Sequence, residues 1–325
     1  MKPAPFEYLA PRGAAEAVEA LSGEDARVLA GGQSLVLEMN YRTARPARLV
    51  DINRVEEFAR LDVDRAGESG DGALRVRPLV RHRAFELPVE HAGVGPLARL
   101  LSLVAHHIAH PPIRARGTML GSLAYAHPAA EWPAVATTLG AHLDLAGPDG
   151  TRTVAAGDFF TGPFGTVRRP EELLIQARLP LLPEGAGVGF VEHRRTHASF
   201  AALAAIAVLR LRDGVVDWVR LGLVNAADRP VRAHAAERAL LGQPAGTEAA
   251  SAARAVSGGG AASAAGAVDG AGAVAGAAEV AGDVDADPRP QPHASIAYQR
   301  HAVTVLVRRA LDQALRDARV SGDGG

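Results

Sequence analysis

The chain has 325 residues, a formal net charge of −1 and no cysteine. The near-neutral charge removes the electrostatic case for nucleic-acid binding, which rests on a basic face, and the lack of cysteine removes disulfides, a thiol nucleophile and iron–sulfur ligands from this chain. The length suits two or three domains; no apolar run reaches the roughly 20 residues that a bilayer span needs, and the opening Met1-Lys2-Pro3-Ala4-Pro5-Phe6 lacks the apolar core of a secretory signal, so a cytoplasmic location is expected.

Residues 1–58 read as a small α/β unit. Phe6 to Ala10 is a short strand, Gly13 to Leu21 a helix of strong helix formers, and Ala26-Arg27-Val28-Leu29 a strand. Ala30-Gly31-Gly32-Gln33-Ser34 then turns into a helix that starts at Leu35. A glycine pair there lets the backbone turn tightly and approach a ligand closely. The following helix start offers free N–H groups and a positive dipole end, a seat for phosphate. Pro46 ends that helix, and Arg48 to Ile52 is a further strand, which completes a β-α-β unit with an expected right-handed crossover.

From 59 to 178 the pattern changes. Leu74 to Val80 alternates like a strand. Leu97 to Ala109 is predicted helical, with Leu97, Leu100, Leu101, Val104 and Ile108 on one face. A second glycine loop, Arg116-Gly117-Thr118-Met119-Leu120-Gly121-Ser122, follows, and the two loops are read as gripping one dinucleotide from both sides. Ala129 to Leu139 is a helix with Pro133 tolerated in its first turn. His142 to Ala146 and Thr151 to Val154 flank Gly147-Pro148-Asp149-Gly150, a hairpin signal, and Leu173 to Leu179 is a strand. Beyond 179, Gly187 to Glu192 and Val215 to Val224 are strands, Ala201 to Arg212 is either strand or helix, and Val231 to Leu241 and Ile296 to Ala318 are helices. Residues 245–291 are Ala/Gly/Ser/Val-rich without an aromatic or a sustained period, and are expected to be disordered or poorly ordered, with a transient Ala-rich helix inside them as the alternative.

Several strings occur in order: Ala30 to Ser34, Leu49-Val50-Asp51-Ile52, Ile113 to Thr118, Gly121-Ser122-Leu123-Ala124, Pro128 to Pro133, Phe159-Phe160-Thr161-Gly162-Pro163, Phe190 to Arg195, and the helix carrying Tyr298-Gln299-Arg300-His301. Each alone is a weak signal. The ordered set, which spans the chain outside the low-complexity insertion, resembles the FAD-binding medium subunit of molybdenum hydroxylases, the group that includes aerobic carbon monoxide dehydrogenase and the bacterial xanthine dehydrogenases.

That resemblance implies an α+β fold: a two-subdomain FAD-binding domain of the PCMH (vanillyl-alcohol oxidase-like) type, residues 1–58 and 59–178, followed by a smaller C-terminal α+β domain, residues 179–325, with an antiparallel sheet and helices. It implies an oxidoreductase subunit with FAD as cofactor and an electron-transfer role. Its implied partners are a molybdopterin-binding large subunit and a small subunit with two [2Fe-2S] clusters, in a dimer of heterotrimers. The implied contacts are the N–H groups at Ala30, Gly31, Gly32, Gln33, Ser34 and Leu35 on the pyrophosphate, and Thr118, Met119, Leu120, Gly121 and Ser122 on the flavin side. Glu131 is implied as a partner for ribityl or ribose hydroxyls, and Phe200 as an aromatic near the isoalloxazine ring. The family's second loop reads Thr-Ile-Gly-Gly where this chain has Thr118-Met119-Leu120-Gly121, which sets a Leu120 side chain where the backbone usually approaches the cofactor. His127 replaces an acid, and Ala198-Ser199 replaces Gly-Asp.

No catalytic residue and no metal site are expected on this chain. His106, His107 and His110 invite a metal reading, since His106 and His110 would share a helix face, but no third ligand is evident and a partly buried helix end is the expected role. The glycine spacing fits neither a Walker loop nor a Rossmann fingerprint. Two alternatives stand beside the main reading: a structural subunit with weak or lost FAD binding, motivated by Leu120, His127 and Ser199, and a stand-alone FAD oxidoreductase, against which the absence of an evident acid and serine pair argues.

Overall fold

Short strand segments alternate with helices up to residue 52, and in the computed structural model the strands build a three-stranded parallel sheet. Arg48–Asp51 lies in its centre, flanked by Glu7–Leu9 and Ala26–Leu29. The structure describes residues 2–23, 25–65, 72–88, 94–244, 270–291 and 294–322. Helix Ala14–Ala20 buries Ala17, and Leu21 follows; both pack on Val50, Ile52, Val55, Phe58 and Leu173.

A second sheet has five antiparallel strands in the order Leu61–Asp64, Ala73–Val76, Leu173–Pro180, His142–Gly147, Gly150–Ala155. The expected hairpin is present, with Gly147 paired to Gly150 around Pro148-Asp149. Helix Pro96–Ala105 buries the predicted face, Leu97, Leu100, Leu101 and Val104, and Ile108 beyond its end is also buried. Met119–Tyr125 and Glu131–Leu139 are further helices of this region. The two sheets belong to one unit, Met1–Leu181, which also takes in Thr196–Phe200.

The second unit comprises Leu182–Arg195 and Ala201–Gly325. Its sheet is antiparallel, in the order Gly187–His193, Leu203–Arg212, Val215–Val224, Val231–Arg232. Helix Ile296–Gly322 packs so closely on the edge strand that a Cβ on Gly187 would stand 1.9 Å from the Ala314 carbonyl oxygen, and one on Gly189 would stand 2.1 Å from that of Ala310. Gln313 and Asp317 on that helix accept the edge-strand N–H groups of Phe190 and Val188, each at 3.0 Å. Unpaired edge donors are thereby covered by the protein's own side chains.

Two expectations change and one open alternative is decided. Val231 to Leu241 is not one helix: Val231–Arg232 pairs with Leu223 and Gly222 as a strand, and the helix is His234–Leu240. The ambiguous segment after Ala201 is a strand, Leu203–Arg212. The low-complexity stretch is not disordered throughout. Residues 245–269 lie outside the described residues, but Gly270–Val280 is a helix and Ala281–Asp285 a π-helical turn. Ala273, Val274, Ala277, Ala278 and Ala281 form one buried face in the core that also holds Val303, Leu306, Val307 and Ala310. Small side chains allow that close approach: a Cβ on Gly282 would stand 2.7 Å from the Arg300 carbonyl oxygen.

Candidate cofactor site

The first loop leaves strand Ala26–Leu29 and enters helix Leu35–Tyr41. Gly32 takes a φ of +74°, which a side chain rarely adopts. Val36 N–H is the first to close a helical bond, onto the Gly32 carbonyl at 3.1 Å. The N–H groups of residues 32–35 therefore have no helical acceptor. Gln33 is exposed and donates from Nε2 to the Gly31 carbonyl at 3.0 Å.

The second loop is more tightly self-bonded. Thr118 caps helix Met119–Tyr125, its hydroxyl accepting from Gly121 N–H at 3.0 Å. Ser122 N–H bonds the Thr118 carbonyl at 3.1 Å, and Met119 N–H the Val80 carbonyl at 3.2 Å. Met119 and Leu120 are buried. The Leu120 side chain, expected where a cofactor approaches, is instead buried.

The structure brings the two loops into direct contact. A Cβ on Gly31 would meet the Arg116 carbonyl oxygen at 2.4 Å and Gly117 Cα at 2.7 Å. The helices behind the loops are tied as well: Tyr125 donates its hydroxyl to Glu38 Oε1 at 2.9 Å. Burial and that carboxylate push the Tyr125 phenol up to about 12.

An aromatic group lies beyond the second helix. Ala126 is left-handed, with a φ of +51°, and turns the chain so that His127 stacks flat on Phe200, ring centroids 3.8 Å apart and 7° from parallel. Phe164 meets both Tyr125 and His127 edge-on at 5.3 and 5.2 Å. Phe164 and Phe200 are more than half exposed, so flat apolar surface faces solvent here. Glu131 is buried in the first turn of its helix, where a carboxylate is favoured.

Other side chains that support the site carry no local sequence signal. His82 is buried beneath Gly117; its Nδ1 accepts from Trp132 Nε1–H at 2.9 Å. Burial, with Arg114 and Arg81 adding like charge, lowers the His82 pKa to about 4, so it is neutral near pH 7. Arg114 pairs with Glu86 at 2.6 Å and donates to the Ile108 and Ala109 carbonyls. Asn53 and Arg81 bridge the loops: Asn53 Nδ2 donates to the Ala30 carbonyl at 2.8 Å, and Arg81 donates to Asn53 Oδ1 and to the Arg116 carbonyl, each at 2.5 Å. The histidines are dispersed. The helix ends at Ala105, so His106 and His110 do not share a helix face; His110 instead stacks on His197, centroids 5.9 Å apart. No helix among the described residues is long and apolar enough to cross a membrane.

Residues 4–182 match the family described as the FAD binding domain in molybdopterin dehydrogenase, and residues 189–270 the CO dehydrogenase flavoprotein C-terminal domain. The carbon monoxide dehydrogenase medium chain of Hydrogenophaga pseudoflava is 34% identical over 78% of this chain and 86% of its own. A subunit alpha of the 6-hydroxypseudooxynicotine dehydrogenase complex of Paenarthrobacter nicotinovorans is 31% identical over 98% of this chain and 97% of its own. Among solved structures, a chain of the Hydrogenophaga pseudoflava carbon monoxide dehydrogenase superposes with a TM-score of 0.81 at 31% identity, covering 98% of this chain and 99% of that one.

Proposed function

The chain belongs to the FAD-binding subunits of the molybdopterin-dependent dehydrogenases, and from that premise we propose that it passes electrons from [2Fe-2S] clusters on a partner to an external acceptor. It is an FAD-binding oxidoreductase subunit of the molybdenum hydroxylase family. The observation that carries the reading is the seating of Gly31 against Arg116 and Gly117, which makes two glycine loops one continuous surface.

The residues present fit FAD. The N–H groups of residues 32–35 have no helical acceptors, and Arg81 adds a cation at the Arg116 carbonyl against which Gly31 packs. These donors suit a pyrophosphate. Thr118 holds the second loop in place through its cap; in this reading the Ser122 hydroxyl of that loop and the Glu131 carboxylate are the partners for the ribityl chain. Phe200, backed on one side by His127 and more than half exposed, offers its other flat face to an isoalloxazine ring. When bound, FAD supplies reversible one- and two-electron transfer, while the protein supplies binding, orientation and electrostatics.

With no cysteine in the chain, the iron–sulfur ligands lie on another subunit. The reading therefore takes a molybdopterin-binding large subunit and a [2Fe-2S] small subunit as partners, in a dimer of heterotrimers. Relatives named as a medium chain or as the subunit of a dehydrogenase complex support it. The test is isolation of the native assembly. Iron, molybdenum and two further chains are expected to co-purify with this subunit and its FAD; recovery of the subunit alone, or with partners lacking iron, contradicts the proposal.

A further inference from the structure

Asn53 and Arg81 lie outside every glycine motif, yet together they touch both loops. Asn53 Nδ2 donates to the Ala30 carbonyl at the entry of the first loop. The Arg116 carbonyl that receives Arg81 at the entry of the second loop is the oxygen against which Gly31 packs. Asp51 sets the orientation of the amide: its Oδ1 accepts from the Asn53 backbone N–H at 2.9 Å and from Nδ2 at 2.6 Å, and its Oδ2 accepts from the Tyr8 hydroxyl at 2.5 Å. With Nδ2 turned toward carbonyl and carboxylate oxygens, Oδ1 is the atom left to receive Arg81.

The charges at this junction are unbalanced. Arg81 hydrogen-bonds two neutral acceptors, and no carboxylate among the described residues lies within ion-pair distance of it. Burial, and then the nearby Arg116 and Arg83, disfavour its charged form, and the more distant Asp51 offsets this only in part. The guanidinium stays protonated at ordinary pH. An anion placed where the loops meet would relieve the repulsion between these arginines and gain charge-assisted hydrogen bonds.

We infer that Asn53 and Arg81 are positioning residues for the cofactor's pyrophosphate: the relay from the Ala30 carbonyl through Asn53 and Arg81 to the Arg116 carbonyl sets the spacing of the two loops, and the uncompensated Arg81 charge favours a diphosphate between them. The inference rests on the reading that these loops hold the FAD pyrophosphate.

The experiment titrates apoprotein with FAD at low and high salt, following quenching of flavin fluorescence, with thermal unfolding recorded alongside. Wild type is compared with Asn53→Ala, Arg81→Gln, Arg81→Lys and the Asn53→Ala/Arg81→Gln double variant. Each of Asn53→Ala and Arg81→Gln is expected to raise the Kd about tenfold, a change matching the loss of one charge-assisted hydrogen bond. The double variant is expected to bind within about twofold of Arg81→Gln, because both substitutions break one relay. Arg81→Lys keeps the salt dependence of wild type while Arg81→Gln flattens it, a separation that a purely structural role does not produce. Kd values within about twofold of wild type, single effects that multiply in the double variant, or equal salt dependence for Lys and Gln each overturn the inference. If Arg81→Gln does not fold, Asn53→Ala and Arg81→Lys carry the test: weaker binding with unchanged salt dependence supports the relay, and unchanged binding overturns it. Gly32→Val separates the two readings. If it leaves FAD affinity unchanged, the loop placement fails; if it weakens binding while the Asn53 and Arg81 variants do not, only the relay fails.

Discussion

His82 makes the core beneath the second loop sensitive to acid. In the folded chain its pKa is lowered to about 4, chiefly by burial, with Arg114 and Arg81 adding to the shift. In the unfolded chain a histidine titrates near 6.5. Between those values the unfolded state binds a proton that the folded state refuses, so stability rises with pH across this window and falls as pH is lowered through it. A shift of about 2.5 units corresponds to about 3 kcal/mol. The stability contributed by a neutral His82 is therefore whole above about pH 6.5 and gone by about pH 4. His82→Gln keeps an acceptor for Trp132 Nε1–H and removes the titration. Urea unfolding followed by tryptophan fluorescence measures the difference, in a Trp218→Phe background so that Trp132 alone reports. Both proteins share all other titrating groups, so the stability of His82→Gln relative to the parent is expected to improve by about 2 to 3 kcal/mol between pH 7 and pH 4. A difference that does not move with pH refutes the buried neutral imidazole.

Gly31→Ala puts a methyl group 2.4 Å from a backbone oxygen that cannot rotate away; overpacking of about 1–3 kcal/mol is expected to weaken FAD binding by roughly fivefold to a hundredfold, read by calorimetric titration. Tyr125→Phe removes the hydroxyl bonded to Glu38; a loss of about 1 kcal/mol is expected in chemical denaturation, and for the wild type this contribution persists below pH 10 and fades as pH rises toward 12. Gly189→Ala drives a methyl group into the Ala310 carbonyl of the C-terminal helix; a fall of several degrees in the melting temperature of the second unit, about 1–3 kcal/mol, is expected by calorimetry, with FAD affinity unchanged.

The parts of the fold legible in sequence are those carried by local period and turn chemistry. The apolar face from Leu97 to Ile108 repeats at helical spacing, and the Gly147 to Gly150 turn joins two alternating runs. The first glycine loop was legible for the same reason, since a strand, two glycines and a helix start are adjacent in the chain. Val231 and Arg232 read as helical because their partners, Leu223 and Gly222, are recruited by sheet pairing rather than by neighbours. The face of helix Gly270–Val280 is hidden in the sequence because alanine and glycine at most positions conceal a period; burial against Val303, Leu306 and Ala310 reveals it. The Asn53–Arg81 relay and the His82–Trp132 bond join residues 28 and 50 positions apart, and no spacing rule announces such pairs. Leu120 follows a glycine loop in sequence, but helix Met119–Tyr125 turns its side chain into buried surroundings, an orientation set by packing and carried by no loop motif.

Hydrogen exchange read by mass spectrometry, with and without saturating FAD, tests most directly whether the two loops form one cofactor seat. Protection is expected in the peptides spanning residues 30–35 and 116–122 together, with none along the groove of about 590 Å³ lined by Ala14, Val18, Phe58, Arg77 and Pro148. Protection of that groove, or of only one loop, contradicts the two-loop seat.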